Sequence, residues 1–450
     1  MFYICDLELL KLRIMRKLVL FALVAISSFC FAQTKSILFI GNSYTYSNGG
    51  VDVMLKNIAL AEGDTLYTES LAIGGAKFSD FCNNPETFER IRSRAWDYVV
   101  LQEQSQLPAF PPSQVETECY PFAKRLCDSI RANDSCTQIL FFMTWGRENG
   151  DQSNCENYPP LCTYDGMQQR LRESYVQMAN DNNAIAVPVG LAWKYVRDNY
   201  PEINLYQSDG SHPSLEGTYL AALTFYNAII YYDGYSYAPE SFEQFTALHI
   251  YVSVEGAIRN NNEECNLNDL LFAKLVPLGI YAKSTDPTYH INIDVSQDFD
   301  SCVCDFGNGV SHTFLPNDEE VYAENGFNNS IYVKFKKYLG DIPSELLNVC
   351  ATVYRGDCSV TDCKEFLYDY SMVIGGIGEN VVNSLNFTNP VTNGKIRFST
   401  DVIGNYEIYS IEGRLLDSGF VSGCEIDVSQ LKNGMFLLRI NRVGYKFIVE

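Results

Sequence analysis

Between residues 36 and 231, short apolar runs alternate with longer stretches in which apolar side chains recur every three or four positions. The runs 36–41 (SILFIG), 97–102 (DYVVLQ), 138–144 (QILFFMT) and 184–189 (AIAVPV) hold apolar residues on successive positions, the pattern of strands covered on both faces. Residues 66–73 are also strand-like, and 51–61, 86–95, 116–132, 166–180 and 214–231 carry helical spacing. Strand and helix in alternation predict βα units around a mainly parallel sheet, an α/β fold. A site on such a sheet lies at the C-terminal ends of its strands.

The pattern changes after about residue 265. Runs of β-type residues at 289–295, 330–335 and 349–354 stand between Asn, Asp and Gly clusters, which predicts a small antiparallel sandwich. Cys304-Asp305-Phe306-Gly307-Asn308-Gly309 weakly resembles the turn of PKD-type Ig-like modules. The glycine-rich 374–378 (IGGIG) reads as a linker. In the last 70 residues short strands alternate with turns. Asn389-Pro390, Gly413 with Arg414, Leu431 to Gly434 and the terminal strand resemble the C-terminal sorting domain of the type IX secretion system. That resemblance implies handling by the secretion machinery, outer-membrane passage and a secreted or cell-surface product.

At 450 residues the chain is long enough for two or three domains at roughly 150 residues each. Its N-terminus carries an address: Arg16 and Lys17, an apolar stretch Leu18 to Ile26, and Ala32 as the cleavage position, with 1–14 as an over-extended start. The apolar stretch is too short for a stable membrane span. The expected plan is a signal peptide over 1–32, an α/β domain over 33–262, a β-sandwich over 263–375 and the sorting domain over 376–450. A formal charge of −22 argues against a nucleic-acid partner, since phosphate binding draws on Lys and Arg.

Thirteen of the 15 cysteines follow Ala32. In an exported chain they read as disulfides. Cys155 with Cys162 and Cys358 with Cys363 are close pairs, and Cys302 and Cys304 need a partner elsewhere, such as Cys350. Zinc is the weaker reading, because only four histidines are present. No metal or other cofactor is expected.

Two short segments carry candidate chemistry. Gly41-Asn42-Ser43 follows the first strand directly, where a turn exposes a serine hydroxyl and leaves its own N–H free. Asp209-Gly210-Ser211-His212-Pro213 places a carboxylate three residues before a histidine in a turn-rich loop. Such a pair supplies a general base with an oriented ring. In order and spacing, the two segments resemble the SGNH/GDSL hydrolases. The resemblance covers about 35–262 and implies a three-layer flavodoxin-like domain with Ser43 as nucleophile and Asp209 and His212 as its base pair. It also implies an oxyanion hole from the N–H groups of Ser43 and Gly75, the latter in Ile73-Gly74-Gly75-Ala76. The family's third block departs here: Leu101-Gln102-Glu103-Gln104-Ser105 has no asparagine, so Gln104 or Gln102 is the expected side-chain donor. Trp145 and Tyr44, or Tyr46, are candidates to stack on a sugar face. The resemblance points to a secreted esterase acting on glycan-borne or small O-acyl esters, acetyl foremost. The alternative is a glycan-binding surface protein that has kept the scaffold without the activity.

Overall fold

The computed structural model describes residues 34–449, apart from 63, 231–237, 240, 243–244, 282–287, 325–327, 335–336, 338–344, 369–390, 392–393, 411–414, 433 and 441–442. The expected leader 1–32, the linker 374–378, Asn389-Pro390 and Gly413-Arg414 lie outside the described residues.

Five strands form the first sheet: β1 (Lys35–Gly41), β2 (Leu66–Ala72), β3 (Tyr98–Leu101), β4 (Gln138–Phe142) and β5 (Ile185–Val187). All pairings are parallel, in the order β2-β1-β3-β4-β5. This is the flavodoxin strand order, with the chain reversing direction of growth between β1 and β3. The central strands are apolar on both faces because both are covered: Ile37 to Ile40, Val99 to Leu101 and Leu140 to Phe142 are all buried. Phe39 and Phe142 meet the edge of Phe225, which lies on the helix Leu215–Ile230. From Gly217 onward that helix is wholly buried, as its continuous apolar sequence dictates.

The expected helix over 116–132 is two helices, Pro112–Glu118 and Tyr120–Asn133. Pro121 has no N–H to continue the first, and suits the opening turn of the second. Helices Phe78–Asn83, Val189–Asn199 and Thr246–Asn260 add to those expected, and the last two pack together.

A second core gathers two four-stranded antiparallel sheets. One has the order β10-β11-β7-β6, from β6 (Ala273–Tyr281), β7 (Thr288–Ser296), β10 (Val321–Glu324) and β11 (Asn328–Lys334). The other runs β13-β12-β8-β9, from β8 (Ser301–Asp305), β9 (Ser311–Phe314), β12 (Glu345–Arg355) and β13 (Cys358–Tyr368). The Asp305–Gly309 turn joins β8 to β9, with Gly307 N–H donating to Asp305 Oδ1 at 2.9 Å. A last antiparallel sheet, β15-β14-β16-β17, spans β14 (Lys395–Ser410), β15 (Leu415–Asp427), β16 (Gly434–Ile440) and β17 (Val443–Val449) around its own core.

The cysteines pair differently from the sequence reading in two of three cases. Cys155–Cys162 forms as expected. Cys363 bonds to Cys350, its direct cross-strand neighbour on β12 and β13, and Cys358 reaches Cys136 before β4. Cys302 and Cys304 are buried free thiols within the second core. Sequence proximity misled here because Cys358 and Cys363 lie on one strand, an odd number of residues apart and so facing opposite sides.

Candidate active site

β1 ends at Gly41, and Asn42 takes an extended conformation that caps the short helix Ser43–Tyr46, its side chain accepting from Tyr44 N–H at 3.2 Å. A Cβ on Gly41 would lie 2.3 Å from Thr45 Oγ1 and 2.7 Å from Gln102 Oε1, so only glycine lets β1 turn this closely beside the end of β3. Ser43, first in the helix, keeps its hydroxyl half-exposed at the C-terminal edge of the sheet.

Across from it the chain between Tyr206 and Pro213 closes on itself. Gln207 N–H donates to His212 O at 2.8 Å, and Gly210 sits at φ 64° to complete the turn. Asp209 Oδ1 accepts from the N–H groups of Ser211 and His212, both at 2.9 Å. Its Oδ2 lies 2.5 Å from His212 Nδ1, and His212 Nε2 lies 2.8 Å from Ser43 Oγ. Burial acts to raise the Asp209 carboxyl, but the bonds from His212 and the two amides outweigh it and hold the group below the usual aspartate value.

Two expected substrate contacts face inward instead. Tyr44 and Trp145 are fully buried and stacked with centroids 4.6 Å apart, and Trp145 stacks in turn on Trp193 at 3.9 Å. Tyr44 Oη and Trp145 Nε1 both bond Ser211, at 2.7 and 3.0 Å, and the Tyr44 ring meets the edge of the His212 ring. These two rings therefore brace the loop that carries Asp209 and His212, and cannot offer a face to a sugar. Tyr46, 48% exposed, is the aromatic that remains at the surface, with its hydroxyl over Gly74.

The two glutamines also separate. Gln102 is buried, and its Oε1 accepts from Asn42 N–H and Thr45 Oγ1, both at 2.9 Å, while its Nε2 donates to Glu103 O. It fixes the turn that bears Ser43 and has no freedom to meet an oxyanion, contrary to one of the two sequence assignments. Gln104 is half-buried. Its Oε1 accepts from Gln106 and Leu107 N–H at 2.7 and 2.9 Å, which fixes the amide's sense, and its Nε2 lies 3.2 Å from Gln106 Oε1. Gly75 stands in an exposed turn at φ 70° after β2. Ile73 N–H donates to Gly41 O at 3.0 Å, which ties this turn to the end of β1 beside Ser43.

Beyond the residues the sequence pointed to, a polar line runs from Gln106 Nε2 to Asp151 Oδ2 (2.6 Å) and from Asp151 Oδ1 to Arg147 Nη1 (3.2 Å), in the loop after β4. Among the described residues no group of His, Cys, Asp and Glu could hold a metal ion.

Residues 387–450 match the Secretion system C-terminal sorting domain. The chain is thus exported by that system, to the cell surface or beyond it. No curated protein matches the sequence. Solved structures similar to the α/β part include a DUF4886 family protein from Bacteroides uniformis (20% identity, 53% of this chain and 100% of that one, TM-score 0.46). Another is a protein from Slackia heliotrinireducens described as an SGNH hydrolase (27%, 43% and 98%, TM-score 0.36). A third is an acetyl xylan esterase from Geobacillus stearothermophilus (17%, 47% and 99%, TM-score 0.33). Among the described residues, no helix is long and apolar enough to cross a membrane.

Proposed function

We propose that residues 33–262 form a serine esterase that removes O-acyl groups, acetyl foremost, from extracellular glycans or small esters, with 263–375 and 376–450 as a β module and a sorting domain. The observation that carries this reading is the unbroken line Asp209–His212–Ser43, with steps of 2.5 and 2.8 Å.

In the proposed mechanism, His212 takes the Ser43 proton through Nε2 as Oγ attacks the ester carbonyl. Asp209 holds Nδ1–H and stabilises the imidazolium that forms, a role its secured charge suits. The N–H groups of Ser43 and Gly75 and the Gln104 amide hold the oxyanion. The leaving alcohol takes its proton from His212, and water activated by the same ring then cleaves the acyl-enzyme. Of the three aromatic candidates, Tyr46, exposed beside the nucleophile, takes the sugar-stacking role.

Hydrolysis of p-nitrophenyl acetate by the full chain tests this. Ser43→Ala is expected to lower kcat by roughly 10⁴-fold or more. Wild-type turnover no greater than that of the variant would leave the glycan-binding reading in its place. Tyr46→Ala is expected to raise KM for an acetylated oligosaccharide several-fold while leaving p-nitrophenyl acetate turnover near wild type.

A further inference from the structure

Glu103 is wholly buried at the end of β3, one residue from Gln104. An ionised carboxylate in such a place costs several kcal/mol unless it is well bonded, so its partners matter. Its Oε1 accepts from Gln104 N–H at 2.6 Å and from Phe78 N–H at 3.0 Å, with Oε2 3.2 Å from the same Phe78 N–H. Gln104 opens the segment after β3. Phe78 opens the helix Phe78–Asn83, three residues beyond Gly75. One carboxylate thus joins the two loops that carry the candidate oxyanion donors.

A second tie runs beside it. Asn42 Nδ2 donates to Ala76 O and to Glu103 O, both at 3.2 Å, so the residue before Ser43 spans the same gap. Around the carboxylate stand the Cys119 thiol, the Lys77 ammonium, the Cys82 thiol and the Tyr175 phenol. Burial raises the Glu103 carboxyl to about 7, against the bonds from Gln104, Phe78 and Cys119 and the attraction of Lys77.

We propose that Glu103 is a positioning residue, whose buried carboxylate sets the Gly75 turn and the Gln104 segment at one fixed spacing about Ser43. This rests on the esterase reading. An apolar side chain could fill the same volume. Only an acceptor with an oxygen free for both amides holds the two loops together, and in transition-state stabilisation a donor out of place is close to a donor lost.

The test is steady-state hydrolysis of p-nitrophenyl acetate by the full chain, with melting followed in parallel. Glu103→Leu, which removes the acceptor, is expected to lower kcat about 100-fold with KM within about threefold of wild type, as for loss of an oxyanion donor, whereas Glu103→Gln, whose amide oxygen can still accept from both N–H groups, should stay within about threefold of wild type. Gln104→Ala should lower kcat similarly, and the Glu103→Leu/Gln104→Ala double variant should fall by less than the product of the two singles, because they share the Gln104 donor. Ser43-dependent turnover left within threefold of wild type in a folded Glu103→Leu overturns the proposal alone, as does full additivity in the double variant. Turnover that survives Ser43→Ala overturns the esterase reading and this proposal with it. Should Glu103→Leu not fold, the wild type supplies the measurement: the ¹⁵N amide signals of Phe78 and Gln104 are expected to move with one midpoint as pH passes from 4 to 9. Separate midpoints, or no movement, overturn the shared carboxylate.

Discussion

Asp209 accepts from two backbone amides as well as from His212, so the turn itself secures its charge. Asp209→Asn should keep the turn, because one amide oxygen can still accept both N–H groups. Its NH₂ would then face Nδ1 and impose the wrong imidazole tautomer, and kcat is expected to fall about 10⁴-fold with little change in melting temperature. Glu103 has the opposite electrostatic situation. Its folded value near 7 lies above that of a glutamate in an unfolded chain, so over the interval between the two the folded state binds more protons. Its contribution to stability therefore declines as pH rises from about 4 to about 7, and stays level above. Scanning calorimetry at steps across that interval should show this decline, flattened in Glu103→Gln. Ser43, Asp209 and His212 were legible in the sequence because their chemistry is local: a serine directly after a strand, and a carboxylate three residues before a histidine. Gln102 and Gln104 could not be told apart that way. What Gln102 faces is decided by groups some 60 positions distant, such as the Asn42 N–H that claims its oxygen.

Among the elements, the column of rings Tyr44, Trp145, Trp193 and Tyr206 joins four segments: the helix that opens at Ser43, the loop after β4, the helix Val189–Asn199 and the loop bearing His212. Tyr44→Phe keeps the stack and removes the hydroxyl that bonds Ser211, so a loss of about 1 kcal/mol in stability is expected by denaturant titration. The same change should lower kcat several-fold, because Ser211 immediately precedes His212. Gly41→Ala should destabilise by about 1–3 kcal/mol, since the new methyl group meets Thr45 and Gln102 at the tight exit of β1. The strands and most long helices of the first unit were readable from their apolar period. That Trp145 turns inward was not, because it depends on where the loop 206–213 returns, a contact some 60 residues away in sequence.

At the scale of the whole molecule, the first two cores are fastened to each other. Cys136–Cys358 links the approach to β4 with the start of β13. Beside it, the Gln138 side chain exchanges two hydrogen bonds with the Leu271 backbone, at 2.9 and 2.7 Å, and Lys364 stands 3.5 Å from Asp64. Replacing Cys358 with Ser should cost about 2–4 kcal/mol and separate the calorimetric transition of the β module from that of the α/β unit, with esterase turnover kept. The change in texture near residue 265 signalled the antiparallel strands beyond it, but not this fastening, whose partners are 222 positions apart.

That bond also makes the chain from 136 to 358 a closed ring, which contains His212 while Ser43 lies on the tail that enters it. A protease that cuts the ring once leaves two fragments still covalently joined, with Ser43 and His212 on whichever pieces they fall. On a gel such a nicked protein should run as one species until a thiol reductant is added. The ring can close only after residue 358 has been made and has reached an oxidising compartment. The α/β unit therefore acquires this cross-link, unlike Cys155–Cys162, only together with the β module, as a joint product of synthesis and export.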